Sequence, residues 1–179
     1  PIMLKEITEG LEISPSDIFM DCTLGGAGHS SAILPLLKDG FLVGIDKDTD
    51  ALEYSSQRLQ KLGRFALKKA DFKNFETVLD ELDIKHVDKI LVDLGVSSHQ
   101  LDVGERGFSF RFDGPLDMRM DKSQSFSAYD VVNTYKEDEL TRIIGTYGEE
   151  RWAKRIAEFI VKRRPINTTF ELVEAILAA

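Results

Sequence analysis

Asp17–His29 reads DIFMDCTLGGAGH: an apolar run closed by an acid, then a glycine cluster, then the opening of a helical pattern. Ile18, Phe19 and Met20 have the character of a buried strand. Asp21, Thr23, Gly25, Gly26 and Gly28 then make a loop in which little side chain blocks the backbone, so a ligand can approach the main chain closely. Ala32, Ile33, Leu36 and Leu37 follow at helical spacing, which aims the free N–H groups of a helix start into that loop. Polar or anionic ligand groups bind at such a place. Eighteen residues after Gly28, the run Phe41, Leu42, Val43, Gly44, Ile45 ends in Asp46. That is close to the spacing of about 20 at which dinucleotide sites place an acid against ribose hydroxyls.

The kind of ligand is narrowed by the order of the glycines. Gly25, Gly26, Ala27, Gly28 and His29 do not spell the GxGxxG of dinucleotide sites, and no Lys-Ser or Lys-Thr follows them, which excludes a P-loop. With Asp21 leading the turn, an amino group on the ligand is welcome. This favours S-adenosylmethionine over NAD.

Outward from the turn the chain alternates. A short amphipathic helix is expected over Met3–Leu11, then strand Asp17–Asp21 and helix His29–Lys38. Strand Phe41–Asp46 precedes helix Asp48–Lys61, with Ala51, Leu52 and Leu59 inward. A weaker strand near Ala66–Phe72 leads to a helix carrying Phe75, Val78, Leu79 and Leu82, and KILVDL at Lys89–Leu94 is the fourth strand. Strands alternating with helices predict a parallel, doubly wound α/β sheet with its ligand at the carboxyl ends of the strands. Asp21, Asp46, Asp71 and Asp93 all fall at or near those ends and are expected to line a cleft.

After Asp93 no regular period is legible for some 30 residues, and a loop of that length inside a compact domain is usually functional or disordered. Helical patterns return at Ala128–Thr134, Glu137–Tyr147, Glu149–Arg164 and from Thr168 on, the third placing Trp152, Ile156, Phe159 and Ile160 on one stripe. Between Thr141 and Arg164 stand seven Lys or Arg against three Glu, in a chain whose net charge is −8. A solvated helix face and a face for a polyanion are both open readings of that stretch. The acidic total argues against a surface uniformly suited to nucleic acid, so any RNA contact must be local. No apolar run approaches the length of about 20 residues that spans a bilayer. The single cysteine, Cys22, permits no internal disulfide. A cytoplasmic protein with no membrane association is the expectation. Only four strands are visible, and the chain stops inside ELVEAILAA without a cap, so a truncated C-terminus and a bare fourth strand are expected.

DCTLGGAGHS, VGIDKD, LVDLGVSSHQLD, RGFSF, GPLDMRMD, YGEERWAKRIA and INTTFEL, in this order along nearly the whole chain, resemble the successive motifs of the bacterial small-subunit ribosomal RNA cytosine-N(4) methyltransferases, the RsmH/MraW family. The resemblance implies a class I (Rossmann-like) methyltransferase fold with an inserted helical substrate domain, here residues 1–110 and 111–179. It implies S-adenosyl-L-methionine as cofactor and, as target, the exocyclic amine of one cytidine in the decoding region, met in small-subunit ribosomal RNA or in an assembled 30S particle. The family's final part, which completes the sheet, is missing, as are a few residues before PIML.

By resemblance the cofactor site falls on Gly26, Ala27, Gly28 and His29 at the turn, Asp46 on the ribose, Phe72 beside the adenine, and Asp93 and Gln100 at the mouth of the fourth strand. A methyl group on a sulfonium is already activated, so the enzyme mainly holds a nucleophile in line with it, and neither a metal nor a nucleophilic Ser or Cys is needed. Cytosine's amine is a poor nucleophile, and an acceptor for its hydrogens would align its lone pair. DLGVSS stands where other amino-methylating enzymes carry an Asn, Asp or Ser followed by Pro-Pro and an aromatic; Asp93 or nearby carbonyls are the expected acceptor. Phe108 or Phe110 is expected to stack on an unstacked base. Arg106, Arg111 and Arg119 are expected either to meet RNA phosphates or to brace the loop through Asp113, Asp117 and Asp121. An NAD-dependent oxidoreductase is disfavoured by the glycine order; a non-catalytic RNA-binding or ribosome-assembly protein on the same fold is the other rival. Oligomeric state leaves no mark in the sequence.

Overall fold

Ile18–Asp21 (β1) lies inside a four-stranded sheet of order β3-β2-β1-β4, flanked by Phe41–Asp46 (β2) and Lys89–Leu91 (β4), with Phe65–Lys69 (β3) beyond β2. All pairings are parallel, with Met20 opposite Val43 on one side and Ile90 on the other. The computed structural model describes residues 1–179 and divides into two compact units, Pro1–Ser97 and Ser98–Ala179. The boundary expected after residue 110 lies within the second unit.

Strand alternation explains how the first unit covers its sheet. Phe19, Leu42 and Leu91 point to one face, where they pack with Ile33 of α2 (Gly28–Ile33), Leu59 of α3 (Thr49–Leu59) and Ile7 of α1 (Leu4–Gly10). Met20, Val43 and Ile45 point to the other, against Val78 and Leu79 of α4 (Phe75–Glu81). Both faces are covered, as a parallel sheet requires, and this is why its strands read as continuous apolar runs.

Three elements are shorter than their patterns predict. The helix expected to run to Lys38 ends at Ile33 and tightens into a 3-10 turn over Leu34–Leu36. Pro35, which has no N–H to donate, sits in that turn. The third strand stops at Lys69, and Phe72 belongs to the following turn, capped by Asp71 accepting from the Lys73 N–H at 3.1 Å. The fourth strand stops at Leu91 because its partner β1 ends opposite it at Asp21. Val92 and Leu94 extend the apolar run without a strand neighbour and are exposed.

The second unit is helical. It contains α5 (Ser98–Asp102), α6 (Ala128–Thr134), α7 (Glu137–Gly148), α8 (Ala153–Arg163) and α9 (Thr169–Leu177). The one-turn α5 lies where no period was legible. Leu116, Val132, Leu140, Ile156, Ala157, Ile160, Ile166 and Ala175 form the core. Asn133 clamps Ile166 by accepting from its N–H and donating to its carbonyl, both at 2.8 Å. Arg164 donates to the carbonyls of Val132 and Tyr135 at 2.7 and 2.6 Å, so part of the basic stretch is spent on closing the end of α6. The expected apolar stripe of α8 needs one correction: Ile156 and Ile160 are buried, but Trp152 is the N-cap and stands outside, 59% exposed.

Candidate functional site

The strand order reverses between β1 and β4, since β1 connects towards β2 while β4 returns on its other side. In open parallel sheets the crevice beyond the strand ends at such a point takes the ligand. The glycine loop occupies it, stitched to both neighbouring strands: the Cys22 N–H donates to the Leu91 carbonyl at 2.9 Å and the Leu24 N–H to the Ile45 carbonyl at 3.1 Å.

Asp46 does its visible work on the protein itself. One carboxylate oxygen accepts from the Gly25 N–H at 2.7 Å and the other from the Asp48 N–H at 2.9 Å. The Gly25 carbonyl accepts from Ser55 Oγ and the Gly26 carbonyl from the Arg58 guanidinium, each at 2.8 Å. With these carbonyls engaged by α3, the N–H groups of Gly26 and Gly28 have no acceptor in the protein. Gly25 has φ 49° and Ala27 φ 53°. Glycine adopts that region freely, whereas buried alanine is held there by its own N–H bond to the Leu24 carbonyl.

Asp21 overturns the expectation that it greets a ligand's amino group. It is 2% exposed, accepts from Ser30 Oγ at 2.6 Å and from the Thr23 N–H at 3.1 Å, and so ties the strand end to α2. Burial pushes its carboxyl above the ordinary aspartate range. Of the four acids, Asp71 is held low by hydrogen bonding to Lys47, whose ammonium lies 2.9 Å away.

Asp93 is the acid left at the rim. Its N–H donates to Thr23 Oγ1 at 2.7 Å, tying the segment beyond β4 to the loop beyond β1, while its side chain is 44% exposed. Nδ1 of the buried His29 is 3.9 Å from the Asp93 carboxylate, and Nε2 is 3.0 Å from the Ile2 carbonyl. With Nε2–H donating to that carbonyl, Nδ1 carries a proton for Asp93 only in the imidazolium form. Phe72 is half exposed, with the Lys47 ammonium 5.9 Å from its ring centre.

Gly26, Ala27, Gly28, His29, Asp46 and Asp93 are thus brought around one crevice. Phe72 lies in the same unit, and the remaining candidates belong to the second. Gln100 and Arg106 are buried there. Arg106 donates to the carbonyls of Arg119 and Met120 at 3.0 and 3.3 Å and lies over the Phe108 ring. Arg119 forms a two-pronged pair with Asp117 at 2.9 and 2.6 Å and donates to the Gln124 carbonyl. Both arginines have the geometry of loop braces. Phe110 is 75% exposed. Lys47, Tyr54 beside Gly26, and the Pro1–Ile2 segment against Gly28 and His29 were not legible as parts of the site. Lys47 alone left a trace, as the residue following Asp46.

A doubly wound parallel α/β sheet with its glycine loop at the strand reversal, between Asp46 and Asp93, defines a Rossmann-like fold. The profile of the MraW methylase family matches residues 1–179, and the chain belongs to that family. It is 50% identical to Ribosomal RNA small subunit methyltransferase H of Clostridioides difficile over 99% of this chain and 59% of that protein. The same-named proteins of Finegoldia magna and Mesoplasma florum are each 51% identical over 98% of this chain and 58% of their own length. The chain therefore spans about three-fifths of the length of these relatives.

Proposed function

We propose that this protein methylates the N(4) amine of a cytidine in the decoding region of small-subunit ribosomal RNA, naked or within the 30S particle, with S-adenosylmethionine as donor. The observation that carries the reading is the glycine loop pinned by Asp46 at the strand reversal, next to an exposed Asp93. The donor set fits the cofactor. Gly26 and Gly28 offer N–H groups without an internal acceptor, and the half-exposed ring of Phe72 beside Lys47 suits an adenine. Asp46 has lone pairs beyond the two it uses on Gly25 and Asp48, and these suit ribose hydroxyls. When bound, that cofactor supplies an activated methyl group.

The protein's own residues then have to present the amine. Asp93 accepts from the amine's hydrogens, which aligns the nitrogen lone pair and balances the charge that develops as the bond forms. Thr23 keeps Asp93 in place by accepting from its main-chain N–H. Phe108 and Phe110 are the second unit's candidates for stacking on an unstacked base, an interaction worth about 1–3 kcal/mol per base. No helix is long and apolar enough to cross a membrane, and a cytoplasmic site of action suits a ribosomal substrate.

The test is methyl transfer from labelled S-adenosylmethionine by the full-length protein, offered unmethylated small subunits, naked ribosomal RNA and DNA in parallel. N(4)-methylcytidine in the ribosomal samples alone is the expected result. Absence of label with cofactor binding intact would replace the reading with that of a non-catalytic RNA-binding or assembly protein.

A further inference from the structure

YGEERW, at Tyr147–Trp152, forms the tip of the α7–α8 hairpin in the second unit. The tip is fixed from within. Glu149 closes α7 in the left-handed conformation at φ 52°. The Glu150 carboxylate accepts from the Trp152 N–H at 2.8 Å, and its carbonyl accepts from the Ala153 N–H at 3.2 Å. A methyl at Gly145 would stand 3.4 Å from the Ala153 side chain, in ordinary contact across the hairpin.

On this rigid turn stand two large aromatics that folding leaves in water, Tyr147 at 77% and Trp152 at 59% exposure. The Arg151 guanidinium lies 5.6 Å from the Trp152 ring centre. One turn on, Arg155 is exposed with its guanidinium 5.3 Å from the Phe159 ring centre. Lys154 and Arg155 occupy the first turn of α8, which holds no acid, whereas α6, α7 and α9 each open with at least one. Arg155 Nε donates to the Ala179 carbonyl and both cations lie in the field of Glu158, while their placement at the helix start opposes the helix dipole. Exposed π-faces interleaved with cations are what a single-stranded nucleic acid meets on a stacking platform: bases on the rings, phosphates on the guanidinium and ammonium groups.

We infer that the α7–α8 tip, with Trp152 and Tyr147 as stacking surfaces and Arg151, Lys154 and Arg155 as phosphate partners, is a docking element for unpaired nucleotides of the RNA substrate. It rests on the reading of the protein as an RNA methyltransferase and adds a contact made by the second unit.

Trp152 is the only tryptophan of these 179 residues, and the difference in emission between the parent and Trp152→Phe isolates its signal in the full-length protein. The full-length protein is titrated with a single-stranded RNA of about 20 nucleotides, and the Trp152→Ala, Tyr147→Ala and Trp152→Phe variants are compared by anisotropy of the labelled RNA. The expected results are quenching of Trp152 that weakens with salt and a loss of about 10-fold in affinity for each alanine variant. Trp152→Phe should bind close to the parent protein, and thermal unfolding should not change because both rings are exposed. Parent-like affinity and KM for RNA in both alanine variants, with methyl transfer intact, would overturn the docking element and leave the function standing. Failure of the parent protein to bind or methylate any RNA would overturn the function and this inference with it.

Discussion

The Asp46 carboxylate accepts the Gly25 N–H at 2.7 Å, joining the end of β2 to the glycine loop across 21 positions of sequence. The same side chain holds the Asp48 N–H, and Asp48 in turn caps α3 by accepting from Asp50. One acid therefore sets the loop and the start of the next helix together. Asp46→Ala leaves two backbone donors without acceptors, at about 1–3 kcal/mol for each such group that stays dry. The expected outcome is a lower melting temperature and at least tenfold weaker S-adenosylmethionine binding by calorimetry. Parent-like cofactor affinity would show that the loop holds its shape without the acid.

Asp93 is tied down by its main chain, not its side chain, so substitution leaves the Thr23 contact available. Asp93→Ala should lower methyl transfer by about 100-fold or more, the scale of losing one group that stabilises developing charge. Melting should change little, because the carboxylate is 44% exposed. Single-turnover rates at saturating RNA and cofactor are the measurement, and near-normal turnover would remove Asp93 from the chemistry.

Asp21 gives a pH dependence of definite sign. Burial raises its carboxyl above the value it has in the unfolded chain. Its contribution to stability is therefore full in acid and is lost as pH rises through the raised, folded-state value. Asn at this position keeps an acceptor for the Thr23 N–H and can donate to Ser30 Oγ without taking a charge. Asp21→Asn should melt above the parent near pH 8, and the gap should shrink towards about pH 4 as the parent's carboxyl protonates. A gap independent of pH over this range would mean that the carboxyl ionises alike in the folded and unfolded chain, and that burial does not raise it.

How much of this was legible in the sequence depended on whether periodicity or contact decided the matter. β1 and β2 were readable because strands covered on both faces are apolar throughout, and the glycine turn because glycine supplies the φ of 49° found at Gly25. Asp46 and Asp93 were found at strand ends, where an acid interrupts an apolar run. The role of Asp21 was not readable: the same acid at the same kind of strand end is buried, because Ser30 and the Thr23 N–H satisfy it. Trp152 kept helical spacing with Ile156 and Phe159, yet the helix starts only after it and leaves it outside. Arg106 and Arg119 were open between phosphate contact and bracing, and only the carbonyls that they reach distinguish the two.

Cys22 sits on β4's side of the loop, where its N–H bonds to Leu91, and its side chain is packed with Met20 and Val43. Burial pushes the thiol up to about 11, so almost none is thiolate at neutral pH. Iodoacetamide at about pH 8 should leave Cys22 unlabelled in the folded protein and modify it in denaturant, read by the mass of the peptide that carries it. Rapid labelling of the native protein would mean that the loop opens readily.

Arg106 separates bracing from RNA contact in the second unit. Its Nη2 serves both carbonyls from a buried position, and the shorter stem of Lys does not reach them. Arg106→Lys should cost about 1–3 kcal/mol by leaving a buried carbonyl without its donor. Amide exchange should rise over residues 106–124, the segment that the guanidinium closes. Phe110→Ala should do the opposite, leaving melting and exchange as they are because the ring is exposed, while weakening RNA binding by about tenfold. If Arg106→Lys instead lowers RNA affinity with no change in melting or exchange, the guanidinium is a phosphate ligand and the bracing assignment fails.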